Sequence, residues 1–156
     1  AGRRGGRCGR PRPRVAAVEI SSAALEFARR NAAKLGLEIE FLHGRWFEPV
    51  RGERFDLVVA NPPYVALEDP HLKQGDVRFE PLHALVAGND GLDAIREIAR
   101  GAAQFVRPGG WLLLEHGQGQ EKAVQELVAA SGFGNVTTWP DLAGIARVTG
   151  GKLKSD

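Results

Sequence analysis

The sequence of 156 residues contains a single cysteine, Cys8, and no apolar run that approaches the length of a membrane-spanning helix. One cysteine excludes an internal disulfide and any metal site built from several cysteines. Because a transmembrane helix needs about 20 apolar residues, the sequence predicts no association with a membrane. The arginine-rich start has no apolar segment behind it, which argues against a secretory signal and favours a cytoplasmic location.

Acidic residues are absent from the first fourteen positions, which carry six arginines. The net charge of +2 therefore becomes −4 for the rest of the chain, which predicts no basic surface for direct binding of nucleic acid. Residues 1–14 are glycine, arginine and proline with little else, so we predict that they are disordered. An RNA-binding arginine–glycine tail is the weaker alternative, since this segment has no aromatic residues.

Alternating apolar strands and amphipathic helices fill residues 15–151. The sequence predicts strands at 15–20, 39–43, 55–60, 111–115, 135–139 and 146–150. It predicts helices after a serine cap at 21 or 22 as far as Gly36, from about 90 to 105, and over 120–130. The first helix is predicted to carry Leu25, Ala28, Ala32 and Leu35 on one apolar face. This alternation indicates a layered α/β sheet whose last two strands pair as an antiparallel edge, followed by a polar tail at 152–156.

The segment Asn61–Tyr64, with the sequence Asn-Pro-Pro-Tyr, follows a predicted buried strand and opens a long aperiodic stretch. Ligands of open α/β sheets bind beyond the carboxyl ends of strands. Pro62 and Pro63 stop the strand and leave the Pro62 carbonyl rigid, with no easy partner. The Pro62 carbonyl and the Asn61 carboxamide oxygen are therefore two fixed hydrogen-bond acceptors, and the aromatic ring of Tyr64 is next to them in the chain. The arrangement suits a planar group that bears an NH₂; the alternative is a turn that only ends a strand.

This pattern resembles the amino-methyltransferases, which methylate NH₂ groups with S-adenosylmethionine. The wider stretch looks very much like the family of release factor glutamine methyltransferases, through the segments Asn61–Val65, Asp69–Leu72, Gly75–Pro81 and Ala84–Ala87. The resemblance runs from about Val15 to about Gly151 and implies a class I, Rossmann-like methyltransferase sheet. It implies methyl transfer to the side-chain amide nitrogen of the glutamine in the Gly-Gly-Gln motif of peptide chain release factors, the expected partners.

The resemblance also implies roles for single residues. Asn61 and Pro62 would be catalytic and would bind the substrate amide, with Pro63 and Tyr64 beside it. Glu19 would accept hydrogen bonds from the ribose of S-adenosylmethionine, Trp46 would lie against its adenine, and Asn61 would also contact the cofactor. An exposed strand-end carboxylate and a core tryptophan are the alternatives for the first two positions. The histidines are too scattered to predict a metal site.

Three other interpretations remain open: a ribosomal-protein glutamine methyltransferase, an adenine-specific DNA methyltransferase acting on a flipped base, and an inactive fragment. The glycine-rich cofactor loop that the resemblance implies should lie about twenty residues before Glu19. Residues 1–14 contain no strand to carry it. The sequence therefore predicts a partial catalytic domain over 15–151, in which the first strand and its loop are lacking. Such a chain is expected to bind the cofactor weakly and to be marginally stable.

Overall fold

A computed structural model describes residues 13–64, 88 and 90–155. The predictions of a disordered start over residues 1–14 and of a functional loop from residue 61 to about residue 89 fall largely outside the described residues. The chain divides into two compact units, Ala1–Pro49 and Val50–Asp156. A short 3₁₀ turn spans Glu48–Val50. Among the residues described, no helix is long and apolar enough to cross a membrane.

The first unit is a strand–helix–strand segment made of β1 (Ala16–Glu19), α1 (Ser22–Leu35) and β2 (Glu40–His43), with the two strands parallel. The Ser21 hydroxyl caps α1 by accepting a hydrogen bond from the Ala24 N–H at 3.3 Å. Gly36 ends the helix in the left-handed conformation at φ 65°. Both predicted ends of this helix are therefore confirmed.

The apolar face of α1 is only partly buried. Leu25 and Ala32 are 3% and 6% exposed, but Leu35 is 72% exposed, so the predicted apolar face does not extend into the core as far as Leu35. Leu35 is the last residue of the helix, where the chain turns away at Gly36 and no described residue of this unit covers it. The residues of β1 are half-buried rather than buried, because within the described residues β2 is the only strand that pairs with it.

The second unit is a four-stranded mixed sheet. Its elements are β3 (Phe55–Ala60), α2 (Asp93–Ala102), β4 (Val106–Glu115), α3 (Glu121–Ala130), β5 (Phe133–Pro140) and β6 (Ala146–Leu153). The strand order is β3-β4-β6-β5, with β3 and β4 parallel and β6 antiparallel to both of its neighbours. The predicted antiparallel edge is confirmed. In the part of the chain that the structure describes, β3 pairs with β4 alone and keeps one uncovered edge.

Strand β4 begins at Val106, five residues before the predicted start at Trp111. The glycines predicted to separate helix from strand lie inside it, where the pairing with β3 shifts register after Phe55. A side chain at Gly110 would place its Cβ 2.8 Å from the Asp56 carbonyl oxygen, and Gly109 has φ 79°. These glycines therefore accommodate a β-bulge inside β4, whereas the sequence pattern predicts that they end the preceding helical segment.

Helices α2 and α3 cover one face of the sheet. The core on this face includes six side chains that are at most 2% exposed: Ile95, Ile98, Leu112, Leu114, Val124 and Val128. The opposite face carries Trp111, Leu113, Trp139 and Val148 in an open apolar depression beside Leu57. Leu57 and Val59 are 52% and 66% exposed, so the prediction that β3 is buried is wrong for this face. No described element of the unit covers it, and the two side chains remain in contact with solvent.

Candidate active site

The segment Asn61–Tyr64 lies immediately beyond the carboxyl end of β3. Ala60 pairs with Leu114 of β4, so the segment begins where the two parallel strands end together. Asn61 is exposed and Pro62 is buried. Among the residues described, none donates a hydrogen bond to the Asn61 carboxamide or to the Pro62 carbonyl. The two predicted acceptors are thus adjacent in the chain and carry no hydrogen bond from any described residue.

Tyr64 is held at both ends. Its hydroxyl donates to the Glu115 Oε1 atom at 3.3 Å, and its carbonyl accepts from the Gln120 Nε2 atom at 3.1 Å. Glu115 is the last residue of β4. Because the hydroxyl and the carbonyl are both bonded, the half-buried ring is held at two points.

Sequence reasoning missed Gln120, which it assigns only to the start of a helix. Its side chain bonds Tyr64, the Asp90 carbonyl at 3.1 Å and the Gly117 N–H at 2.8 Å. A signal for it exists in the sequence. Gln120 follows β4 at a strand-to-helix junction, on the sheet edge where α/β proteins bind their ligands.

A chain of hydrogen bonds lies behind the site and begins at His116, which is 0% exposed. Its Nδ1 atom donates to the Gly117 carbonyl at 2.9 Å, because that oxygen can only accept. In the neutral ring, Nε2 then accepts from the Thr149 hydroxyl at 2.9 Å. Thr149 is bonded to Thr138 at 2.7 Å, and Gln125 donates to Thr138 at 2.9 Å. These linked hydrogen bonds give a partner to each buried polar side chain among them, and they hold the backbone where β4 ends.

The other anchor of the site is the start of α2. Asp90 accepts hydrogen bonds from the Arg96 guanidinium and, at 3.1 Å, from the Leu92 N–H. The Arg96 hydrogen bonds are the main cause that lowers the pKa of the Asp90 carboxyl to about 2. Arg96 also pairs with Asp93 at 2.9 Å. The carbonyl that Gln120 binds therefore belongs to a residue whose side chain is itself fixed.

The first unit contains the two predicted cofactor residues that lie outside this segment. Glu19 ends β1 and accepts the Ser21 N–H on Oε1 at 2.7 Å. Trp46 follows β2 with φ 49°, and the Arg45 guanidinium lies 5.6 Å from its ring centroid. Its indole Nε1–H is buried with no partner among the described residues. In the parts of the chain that the structure describes, no three histidine, cysteine or acidic side chains form a metal cluster.

Comparisons with known proteins place this geometry in context. A family model described as "Methyltransferase small domain" matches residues 7–75. The release factor glutamine methyltransferase of Xylella fastidiosa (strain Temecula1) is 53% identical over 146 residues, covering 93% of this chain and 53% of that protein. The protein of the same name from Neisseria gonorrhoeae is 52% identical over 145 residues, covering 92% and 53%.

Over most of its length the chain is similar to proteins named release factor glutamine methyltransferases. It spans about half the length of the curated relatives it matches. The alignments with these relatives cover 93% and 92% of this chain, which agrees with the resemblance that the motif segments indicate.

Solved structures of methyltransferases share the fold. A methyltransferase from Pyrococcus furiosus superposes with a TM-score of 0.66 at 16% identity, covering 91% of this chain and 64% of that one. A protein-(glutamine-N5) methyltransferase (release factor-specific) from Alicyclobacillus acidocaldarius gives 0.50 at 24% identity, covering 91% and 80%. At these identities the likeness concerns the fold alone. It confirms the predicted class I methyltransferase-like α/β fold.

Proposed function

We propose that the chain methylates the side-chain amide nitrogen of the glutamine in the Gly-Gly-Gln motif of peptide chain release factors, with S-adenosylmethionine as the methyl donor. The observation that carries the proposal is the pair of acceptors at the end of β3. The Asn61 carboxamide oxygen and the Pro62 carbonyl have no donor among the described residues, and Tyr64 stands fixed beside them. The names of the relatives supply the substrate class.

An amide nitrogen is a poor nucleophile, because its lone pair is delocalised into the carbonyl group. Asn61 and Pro62 would each accept one N–H of the substrate amide, which fixes the plane of the group. They would also favour localisation of the lone pair on nitrogen as the reaction proceeds. Tyr64 would pack against the glutamine side chain and hold it in line, and such orientation lowers a barrier substantially. The methylated amide can lose its proton to water, so the site requires no dedicated base.

The residues of the chain fit parts of the proposed cofactor, which when bound supplies an electrophilic methyl group on a sulfonium. Glu19 uses one carboxylate oxygen for the Ser21 N–H and keeps acceptor capacity for ribose hydroxyls. The Trp46 indole N–H is buried and has no partner among the described residues. A buried donor needs an acceptor, and the polar adenine ring of the cofactor would offer one. Asn61 is exposed at the strand end and would bind the cofactor on the side away from the glutamine.

The proposed partners are release factors. Two other substrates present a similar planar NH₂ group: a glutamine of a ribosomal protein and a flipped adenine in DNA. A further alternative to the proposed activity is an inactive chain. The charge of the chain favours protein, because the net charge apart from the arginines of residues 1–14 is −4. DNA binding draws most of its affinity from cationic contacts to phosphates. The proposed substrate implies a cytoplasmic enzyme.

A chimera tests the substrate class. The part of the Xylella fastidiosa relative that matches this chain over 146 residues is replaced by the sequence of this chain. The chimera is incubated with methyl-labelled S-adenosylmethionine and, separately, with a release factor, ribosomal protein and duplex DNA. We expect label in the Gly-Gly-Gln glutamine of the release factor alone. Label in DNA adenine or in ribosomal protein, or no label with an active native relative as control, would contradict the proposal.

A further inference from the structure

Gln120 connects three backbone segments with one side chain. Its Nε2 atom donates to the carbonyls of Tyr64 and Asp90, both at 3.1 Å, and its Oε1 atom accepts from the Gly117 N–H at 2.8 Å. The two carbonyl oxygens can only accept and the backbone N–H can only donate, so the orientation of the carboxamide is fixed by its partners. Both of its N–H donors are used.

The three segments approach the carboxamide closely at two glycines. A Cβ added at Gly91 would lie 2.4 Å from the Tyr64 carbonyl oxygen and 2.8 Å from the Gln120 Nε2 atom. A Cβ at Gly117 would lie 3.0 Å from the Gln120 Oε1 atom. The two glycines thus allow the carboxamide and the Tyr64 backbone to approach each other closely.

Gly117 is itself fixed by a hydrogen bond from a buried side chain. Its carbonyl accepts from the buried His116 ring at 2.9 Å, while its N–H donates to Gln120. The Gln120 carboxamide is therefore attached to a rigid point on one side and to the Asn61–Tyr64 segment on the other. A displacement of Gln120 would move the Tyr64 carbonyl, which lies two residues after the Pro62 acceptor.

We propose that Gln120 is a positioning residue for the glutamine site, and that the two N–H donors of its carboxamide hold the Asn61–Tyr64 segment in the conformation that receives the substrate amide. The inference rests on the proposed function and deepens it. Gln120 acts through Tyr64 and touches no reacting atom. A residue that only fills space would keep its role when the carboxamide becomes a carboxylate of the same shape, whereas a donor would lose it.

Tyr64 is the only tyrosine of the sequence, so fluorotyrosine labelling of the chain gives a single ¹⁹F resonance for it. We expect Gln120→Ala and Gln120→Glu to shift this resonance to a common position. The matched control is Gln118→Ala, since Gln118 is an exposed glutamine in the same loop. It is expected to leave the resonance in place. A Gln120→Glu spectrum that superposes on that of the native chain overturns the inference.

The same variants in the chimera separate positioning from folding. We expect kcat for glutamine methylation to fall about 10- to 100-fold in both Gln120 variants, since a misplacement of about 1 Å costs that much. The KM for S-adenosylmethionine should stay unchanged, and so should both constants in Gln118→Ala. Native kcat in Gln120→Glu would overturn the inference. If the unsubstituted chimera methylates nothing, the proposed function fails, and the fluorine spectra still decide whether Gln120 holds the segment.

Discussion

The hydroxyl of Thr149 offers a direct test of the buried hydrogen-bond chain behind the site. Thr149 is 0% exposed, and its hydroxyl joins His116 at 2.9 Å to Thr138 at 2.7 Å. Thr149→Val removes this hydroxyl and keeps the shape of the side chain. It leaves the His116 Nε2 atom without a donor inside the protein and takes the acceptor from Thr138.

The expected cost follows from the two lost hydrogen bonds. Each contributes about 0.5–1.5 kcal/mol to stability, and a buried polar atom left without a partner costs about 1–3 kcal/mol. Because the Thr149 side chain is fully buried, water cannot replace the missing donor. We expect Thr149→Val to lower the free energy of unfolding by about 2–4 kcal/mol, a large part of the roughly 5–15 kcal/mol of a typical domain.

Urea unfolding followed by tryptophan fluorescence measures the loss. Thr149→Ser retains the hydroxyl and should lose clearly less stability than Thr149→Val. Thr137→Val is the matched control, because Thr137 is an exposed threonine of the neighbouring strand whose hydroxyl bonds only the Asn135 carbonyl, at 3.3 Å and in contact with solvent. It should change stability by no more than about 0.5 kcal/mol. Equal stability of Thr149→Val and the native chain, or a larger loss in Thr149→Ser, would refute the hydrogen-bond account.

Two further predictions concern the anchors of the site. Gly91→Ala should destabilise the chain more than Gly119→Ala in the same urea assay. Both glycines have positive φ, which costs about 1–2 kcal/mol for alanine, but only Gly91 is crowded; equal losses would exclude the crowding. The lowered pKa of Asp90 means that its ion pair with Arg96 stabilises the chain above about pH 4 and loses that contribution as the pH falls through about 2. Arg96→Gln should therefore cost up to about 1 kcal/mol at pH 7, because the pair is half-exposed, and progressively less as the pH falls towards 2; a cost independent of pH would contradict this assignment.

Local patterns account for what could be predicted from the sequence. The ends of α1 depend on a serine and a glycine adjacent to the helix, and both are confirmed. The position of the Asn61–Tyr64 segment beyond β3 depends on an apolar run followed by two prolines, and the structure has it there. These features involve residues within a few positions of each other, where residue type determines the backbone geometry.

Features set by distant contacts were missed. The Gln120–Tyr64 hydrogen bond joins residues 56 positions apart, and the Tyr64–Glu115 bond spans 51. The early start of β4 depends on a register shift against β3, which no local pattern records. The exposure of Leu57 and Val59 depends on whether another element covers their face of the sheet. The apolar sequence of the strand is the same whether that face is covered or not. Contacts between elements, and not propensity, determine these outcomes.

The central claim is that Asn61 orients a glutamine amide for methylation. The direct measurement compares Asn61→Ala with the unsubstituted chimera, following glutamine methylation by mass spectrometry of the Gly-Gly-Gln peptide and cofactor affinity by isothermal titration. Since Asn61 mainly fixes the nucleophile, we predict that methylation is abolished while S-adenosylmethionine binding largely survives. Methylation of that glutamine by Asn61→Ala at the rate of the unsubstituted chimera would contradict the account.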